Sequence, residues 1–342
     1  MIQPLIDAFI FIQGWLLDSV AQPILLALGL GSYVEAAFDA VEFFLFGVIQ
    51  LSAAFLLLRP LEALYPIEVW PDRQRVRVDV LYTFLNRTGI IPLGVFALLA
   101  PFFLGFDSWL RFNGIIPPQL EDVFPLLENQ PLLSFFIYLL LLDFSEYWRH
   151  RLAHRLRWWW ALHAIHHSQI QMTLWTDSRN HLLDDVTAGL WFALVALLIG
   201  VPPGHFVGLI VAVQIVENLS HANARLSFGR FGETLLVSPR YHRWHHALDL
   251  PSGSQYRYGC NFAILFPVWD KIFGTQYCAQ AMPPTGIHLA LGIDPQEVPA
   301  ANHGFWQQQR AGIIALLAAL RPSRRREGEY FSGKPTATSK KI

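Results

Sequence analysis

The chain has 342 residues, 53% of them hydrophobic and 15% charged, with a formal net charge of −1. Soluble domains carry about 25% charged residues, so this composition excludes an ordinary soluble enzyme, while the aromatic and aliphatic content excludes disorder and the missing basic excess excludes a nucleic-acid partner. Two cysteines, Cys260 and Cys278, make neither a disulfide framework nor a thiolate cluster, so a metal, if present, is held by nitrogen or oxygen.

In chain order, the first thirty residues are apolar but hold Asp7 and Asp18 and no basic residue. The charged start of a cleavable signal is therefore missing, and the segment reads as an interfacial helix or a further span. A helix crosses a bilayer in about 20 apolar residues. One such stretch runs from about Val34 to Leu58, with Glu35, Asp39 and Glu42 near its start and Arg59 at its end. A second runs from about Leu81 to Phe106, interrupted by Arg87 and Pro92, and a third, short for a span, from about Leu132 to Tyr147 with Asp143 near its end. Val186 to Leu219 is broken around Gly200, Pro202, Pro203 and Gly204, which stop a helix, and reads as a hairpin of two half-length or tilted helices. Ala311 to Leu320 reads as a short amphipathic helix before a basic tail attracted weakly to anionic lipid. The expected fold is all-α: a membrane bundle of about four spanning helices with a helical cap.

Lys and Arg set the orientation. Arg59, Arg73, Arg75 and Arg77 crowd the first polar connection, whereas the connection from Phe106 to Pro131 holds only Arg111. Arg149, Arg151, Arg155, Arg157 and Arg179 follow the third stretch, and Arg321, Arg324, Arg325, Arg326, Lys334, Lys340 and Lys341 fill the tail. All clusters fall on one side, expected to be cytoplasmic, together with most of the histidines.

Spacing singles out ten of the thirteen histidines. His150 and His154 in HRLAH are four apart; His163, His166 and His167 in HAIHH, and His242, His245 and His246 in HRWHH, stand at i, i+3 and i+4. Each set projects from one helical face, and His181 and His221 lie between them. His205, His288 and His303 lack partners and read as ordinary histidines. An electrostatic patch needs no repeated His-x-x-His-His, so the pattern predicts metal. Imidazole suits Zn, Cu, Fe and Ni, and ten ligands suit two ions with four or five each. Iron cycling with dioxygen fits an all-nitrogen shell at a membrane surface better than hydrolytic zinc, although zinc binds the same ligands. A membrane metal-binding or transport protein is the reading of a different class; transporters place ionisable residues along a span, whereas these clusters follow apolar segments.

From about Leu132 to Thr275 the chain resembles the fatty acid hydroxylase and sterol desaturase superfamily of integral-membrane di-iron oxygenases. The likeness rests on DFSEYWRHRLAH with Asp143, Tyr147, Trp148, His150 and His154, then WWALHAIHHS, DSRNHLLDD with His181, SHANARLSFG with His221, SPRYHRWHH and NFAILFPVWDKIFGT. The resemblance implies spanning helices capped by a cytoplasmic domain with an apolar channel to two irons, and ligation by all ten histidines. It implies a membrane region over 1–131, a catalytic domain over 132–275 and a tail over 276–342. Expected partners are a lipid or sterol-like substrate, dioxygen and a separate electron-transfer protein, since no haem, flavin, nicotinamide or iron–sulfur fingerprint stands in the chain. The expected reaction is hydroxylation at an unactivated C–H, with desaturation or ether-lipid cleavage as alternatives on the same centre. Ligating imidazoles need an acceptor for their second N–H; candidates are Asp143, Asp177, Asp184, Asp185, Glu217 and Asp270. Asn261, Trp269 and Asp270 are expected to lock the last histidine motif, and Trp158, Trp159 and Trp160 to mark the membrane interface.

Overall fold

The computed structural model describes residues 3–201, 203–287 and 303–321. His288 and the basic residues from Arg324 onward lie outside them. Among the described residues the fold is all-helical, with β pairing confined to isolated bridges between Pro66 and Ala224 and between Ala247 and Thr285.

Four helices are long and apolar enough to cross a membrane: α1 (Gln3–Ala27), α2 (Gly31–Leu64), α4 (Ile90–Phe112) and α5 (Pro131–Arg155). The burial pattern is that of a bundle in lipid. Phe11 of α1 is 74% exposed and Leu104 of α4 is 70% exposed, surfaces an aqueous fold would bury and a bilayer covers instead. The first thirty residues thus supply a helix of spanning length, with a π-helical turn at Leu17–Ala21.

The second apolar stretch divides differently from its sequence pattern. Gly89 takes a left-handed φ of +86° and separates α3 (Gln74–Arg87) from α4. The spanning helix therefore begins at Ile90, and Arg87 closes a polar helix instead of interrupting an apolar one. Asp79, Tyr82, Thr83 and Arg87 are the buried face of α3. The third stretch is longer than its apolar core: α5 continues without a break to Arg155, carrying His150 and His154 in its last two turns. Leu156 then leaves helical geometry and α6 (Arg157–His167) starts in a new direction.

The hairpin forms as α7 (Leu182–Leu198) and α8 (Pro203–His221), turning at Gly200 with φ +64°. Tyr138, Leu139, Leu142, Leu209 and Leu265 make the core between α5, α8 and the loop after Phe262. Two short helices follow, α9 (Gly229–Leu235) and α10 (Pro239–His245). Ser238 caps α10 by accepting from the Tyr241 N–H at 3.1 Å, with Pro239 in the first turn, the usual start signal. After α11 (Val268–Ile272) comes α12 (Phe305–Ala319). It is not a solvated end: Phe305, Gln308, Gln309, Gly312 and Ala315 are buried where it packs along α6 and α3.

Candidate metal centre

Nine of the ten histidines converge as two groups. Possible ligand nitrogens of His150, His154, His163, His167 and His245 lie within 4.8 Å of one another, and so do those of His166, His221, His242 and His246. The i, i+4 pair on α5 meets the two i, i+3, i+4 sets on α6 and α10, so three helix ends and the last residue of α8 enclose the centre. His166 goes to one group and His163 and His167 to the other, so α6 is shared between them.

The ring orientations fit metal ligation. His245 Nε2 stands 3.1 Å from His167 Nε2; His221 Nε2 stands 3.2 Å from His166 Nε2 and 3.0 Å from His242 Nε2. Two imidazole nitrogens bound at about 2.0–2.1 Å to one ion stand roughly 3 Å apart. The opposite nitrogens are fixed by acceptors. His150 Nδ1 donates to the Phe262 carbonyl at 2.9 Å, His154 Nδ1 to that of Tyr258 at 3.1 Å and His245 Nδ1 to that of Cys260 at 2.9 Å. His221 Nδ1 donates to the Glu217 carbonyl at 2.8 Å and His163 Nδ1 to the Asp184 carboxylate at 3.0 Å. Carbonyls and carboxylates only accept, so each Nδ1 carries the proton and each Nε2 presents a lone pair to the centre. His163 Nε2 is buried with no hydrogen-bond partner among the described residues, an arrangement a metal bond satisfies. Burial, and then the neighbouring imidazoles, push His166, His167, His242 and His246 well below the ordinary histidine pKa. Lowered in this way, the rings favour the neutral form in which imidazole can ligate a metal.

His181 stands apart. Its Nδ1 accepts from the Leu183 N–H at 3.0 Å, capping α7, and its Nε2 donates to the Gln309 carbonyl of α12 at 2.9 Å. Both nitrogens are used by the protein.

The carboxylates divide likewise. Asp184 takes His163 and the Trp159 indole N–H, the latter at 2.8 Å. Asp177 pairs with Arg87 at 2.5 Å and lies 3.9 Å from His221 Nδ1. Asp143 meets no histidine: it accepts from the Leu265 and Phe266 N–H groups and from Trp269 Nε1, tying α5 to the loop after Phe262. Asp270 accepts from the Phe262 and Ala263 N–H groups, Thr275 Oγ1 and Tyr241 OH. Asp185 bonds the Asn180 side chain. Asn261 holds a left-handed φ of +55°, tolerable for Asn, and donates to the Tyr241 and Tyr277 carbonyls at 2.9 Å. Trp158 is exposed, but the other two tryptophans differ from their expected interfacial place. Trp159 and Trp160 are buried, because Asp184 claims the first indole and the second packs on His154 and His167 at 4.7 and 5.2 Å.

Several supporting groups had no motif to mark them. Arg179, fully buried, donates to Asp79 at 2.6 Å, to the Ile165 carbonyl at 2.9 Å and to Ser168 at 2.9 Å, clamping the end of α6 that carries His166 and His167. Arg243, inside HRWHH, pairs with Glu68 at 2.8 Å. Arg87, which from sequence alone reads as a charge inside an apolar stretch, was the available signal.

Residues 135–275, which contain all nine converging histidines, match the family model described as fatty acid hydroxylase. The chain carries a fatty acid hydroxylase domain. An ornithine lipid hydroxylase of Rhizobium tropici is 26% identical over 281 residues, covering 81% of this chain and 79% of that protein. Human alkylglycerol monooxygenase is 34% identical over 138 residues, 39% of this chain and 28% of that protein, and a Gibberella zeae sterol 5(6)-desaturase is 26% identical over 143 residues, 42% and 41%. No solved structure matches. Hydroxylase, monooxygenase and desaturase are all oxidoreductase activities, the class to which the hydroxylase domain belongs.

Proposed function

We propose that the chain is a membrane di-iron oxygenase that hydroxylates a lipid or sterol-like substrate at an unactivated C–H. The reading is carried by the two histidine groups, with five and four candidate ligands, inside a fatty acid hydroxylase domain. His150, His154, His163, His167 and His245 would hold one iron and His166, His221, His242 and His246 the other, with His181 outside the set. Iron held there, given dioxygen and two electrons from a separate protein, would supply an oxidant strong enough to put oxygen into a C–H bond. The chain's own part is placement and exclusion of water. The carbonyls of Tyr258, Cys260 and Phe262, with Asp184, keep the imidazoles in the ligating tautomer. An apolar cleft of about 280 Å³ between α5, α7 and α8 reaches toward the centre and suits an alkyl chain.

We further read the centre as cytoplasmic, because Arg59, Arg73, Arg75 and Arg77 and the arginines after α5 flank the same ends of the spans. A fluorescent reporter fused after Ile342 should then light in the cytoplasm, and an alkaline phosphatase fused there should stay inactive. Activity is tested by mass spectrometry of lipid extracts from cells with and without the protein under dioxygen. A lipid gaining one oxygen supports hydroxylation, one losing two hydrogens makes the protein a desaturase, and an unchanged lipidome sinks the oxygenase reading.

A further inference from the structure

The helix α12 inverts the pattern of an ordinary surface helix. Its buried face is Phe305, Gln308, Gln309, Gly312 and Ala315, whereas Trp306, Ile314, Leu317 and Leu320 are each more than half exposed. Their spacing, with Arg310 and Arg321 among them, is that of one helical face. The glutamines are buried because the fold uses them. Gln309 Oε1 accepts from the Leu182 N–H at 2.9 Å, and Gln309 Nε2 donates to Tyr82 OH at 2.9 Å. Tyr82 OH in turn donates to Gln308 Oε1 at 3.0 Å, and His181 Nε2 donates to the Gln309 carbonyl at 2.9 Å. These bonds fix the rotation of α12 about its own axis, so the apolar face is held outward. A contiguous exposed apolar face calls for an apolar neighbour.

We propose that this neighbour is the bilayer, and that α12 is a membrane-surface helix whose outward face sits at the boundary of headgroups and acyl chains. Position, continuity and charge select lipid over a protein partner. The helix is held where membrane helices begin: His181 caps α7, and Tyr82 lies on α3 just before α4 starts at Ile90. Apolar exposure continues on those neighbours at Val80, Leu81 and Phe84 of α3, Leu183 of α7 and Ile90 of α4. The only charged residues of the outward face are Arg310 and Arg321, and no acid stands in the sequence between Glu297 and Glu327. Arginines at such a boundary reach headgroup phosphates while their stems stay in apolar surroundings, and Trp306 suits the same depth. The helix lies along the surface and does not cross it. Its 15 residues rise about 22 Å, short of a hydrocarbon core of about 30 Å. Because its other face packs along α6, which carries His163, His166 and His167, α12 seats the histidine-bearing cap against the membrane. The inference is independent of the oxygenase reading.

The test uses the full-length, metal-loaded protein in phospholipid nanodiscs. Cys260 is buried and Cys278 exposed, so Cys278→Ser is the background in which one cysteine at a time carries a bimane fluorophore. Ile314→Cys, Leu317→Cys and Leu320→Cys report on the outward face. Leu104→Cys, on the exposed face of α4, and Gln255→Cys, at an exposed polar position of the cap, are the references. Three quenchers are compared: iodide in the water, a nitroxide on the lipid chain near the headgroup, and a nitroxide near the chain end. Leu104→Cys should lose most fluorescence to the deep nitroxide, and Gln255→Cys to iodide. All three α12 positions should lose most to the shallow nitroxide and less to iodide than Gln255→Cys does. The labelled positions are exposed, so metal content should match the parent's, which shows that the cap is folded. Iodide quenching as strong as at Gln255→Cys would place the face in water. Protection from all three quenchers would place it under a second copy or another protein, and a preference for the deep nitroxide would make α12 an inserted helix. Each of these results overturns the proposal.

Discussion

Asp184→Asn is the sharpest probe of how the centre is assembled, because it removes a charge without removing volume. In the native protein the Asp184 carboxylate accepts from His163 Nδ1 at 3.0 Å and from Trp159 Nε1 at 2.8 Å. An indole N–H only donates, so the single oxygen of an asparagine amide must turn to Trp159. The amide NH2 then faces His163 Nδ1, which becomes an acceptor and moves its proton to Nε2, the nitrogen that faces the other ligands. The reverse placement sets NH2 against the indole N–H and leaves two buried donors opposed. The first placement weakens His163 as a ligand, and the second keeps its tautomer only against that opposed-donor penalty, so the first is favoured. Removal of such an orienting partner costs about 10- to 100-fold in metal affinity, equivalent to roughly 1.4–2.7 kcal/mol. Metal content after dialysis against graded chelator, read by mass spectrometry, measures it. The same logic predicts a rescue: with Trp159→Phe added, the amide oxygen is free to face His163, and most of the lost affinity should return. Wild-type affinity in Asp184→Asn, or no recovery in the double variant, would refute the tautomer argument.

His181→Ala should keep wild-type metal stoichiometry, unlike Ala at any of the nine converging histidines, while losing the α7 cap at about 0.5–2 kcal/mol of stability; metal analysis paired with thermal unfolding separates the two. Gly312→Val should loosen α12, since a Cβ there would lie 2.4 Å from the His181 ring, and hydrogen exchange across 305–319 should rise. The buried imidazoles predict the direction of pH dependence. Their folded-state pKa values lie below the unfolded value of about 6.5, so their contribution to stability is fully present above pH 6.5 and is lost as pH falls toward the folded values. The unfolding midpoint of metal-free protein should be level from pH 7 to 8 and decline below pH 6.5, and a midpoint that rises on acidification to pH 5.5 would contradict this.

The helical spacing of HRLAH, HAIHH and HRWHH made the two groups legible, because i, i+3 and i+4 project one way whatever surrounds the helix. His181 and His221 stand without a spaced neighbour and were grouped with the other eight only by their place between them; His221 converges with the others and His181 does not. The lone histidine after Arg179 is a helix cap and a clasp for α12, and nothing local distinguishes a ring that accepts from Leu183 from one that waits for a metal. The break at Gly89 was equally hidden. Arg87 reads as an interruption of an apolar stretch until the buried face of α3, with Asp79 and Arg179 paired across 100 residues, shows that a polar helix ends there.

Carboxylates were the expected acceptors for the imidazoles, yet three of the five fixed rings use backbone carbonyls from one short segment. Tyr258, Cys260 and Phe262 alternate along the chain, as carbonyls of an extended strand do when they face one side. Two unusual backbone positions hold the segment. Gly259 has φ +119°, and a Cβ there would lie 3.3 Å from His154 Nδ1; Asn261 is left-handed and stapled to Tyr241 and Tyr277. Asp270 fixes the far end by accepting the Phe262 and Ala263 N–H groups. The Asn261 and Trp269–Asp270 motifs therefore act on His150 and His154, more than 100 residues earlier in the chain, by ordering the carbonyls that orient them. A backbone acceptor carries no side-chain signature, so this support is written only in the glycine, asparagine and aspartate that shape the segment.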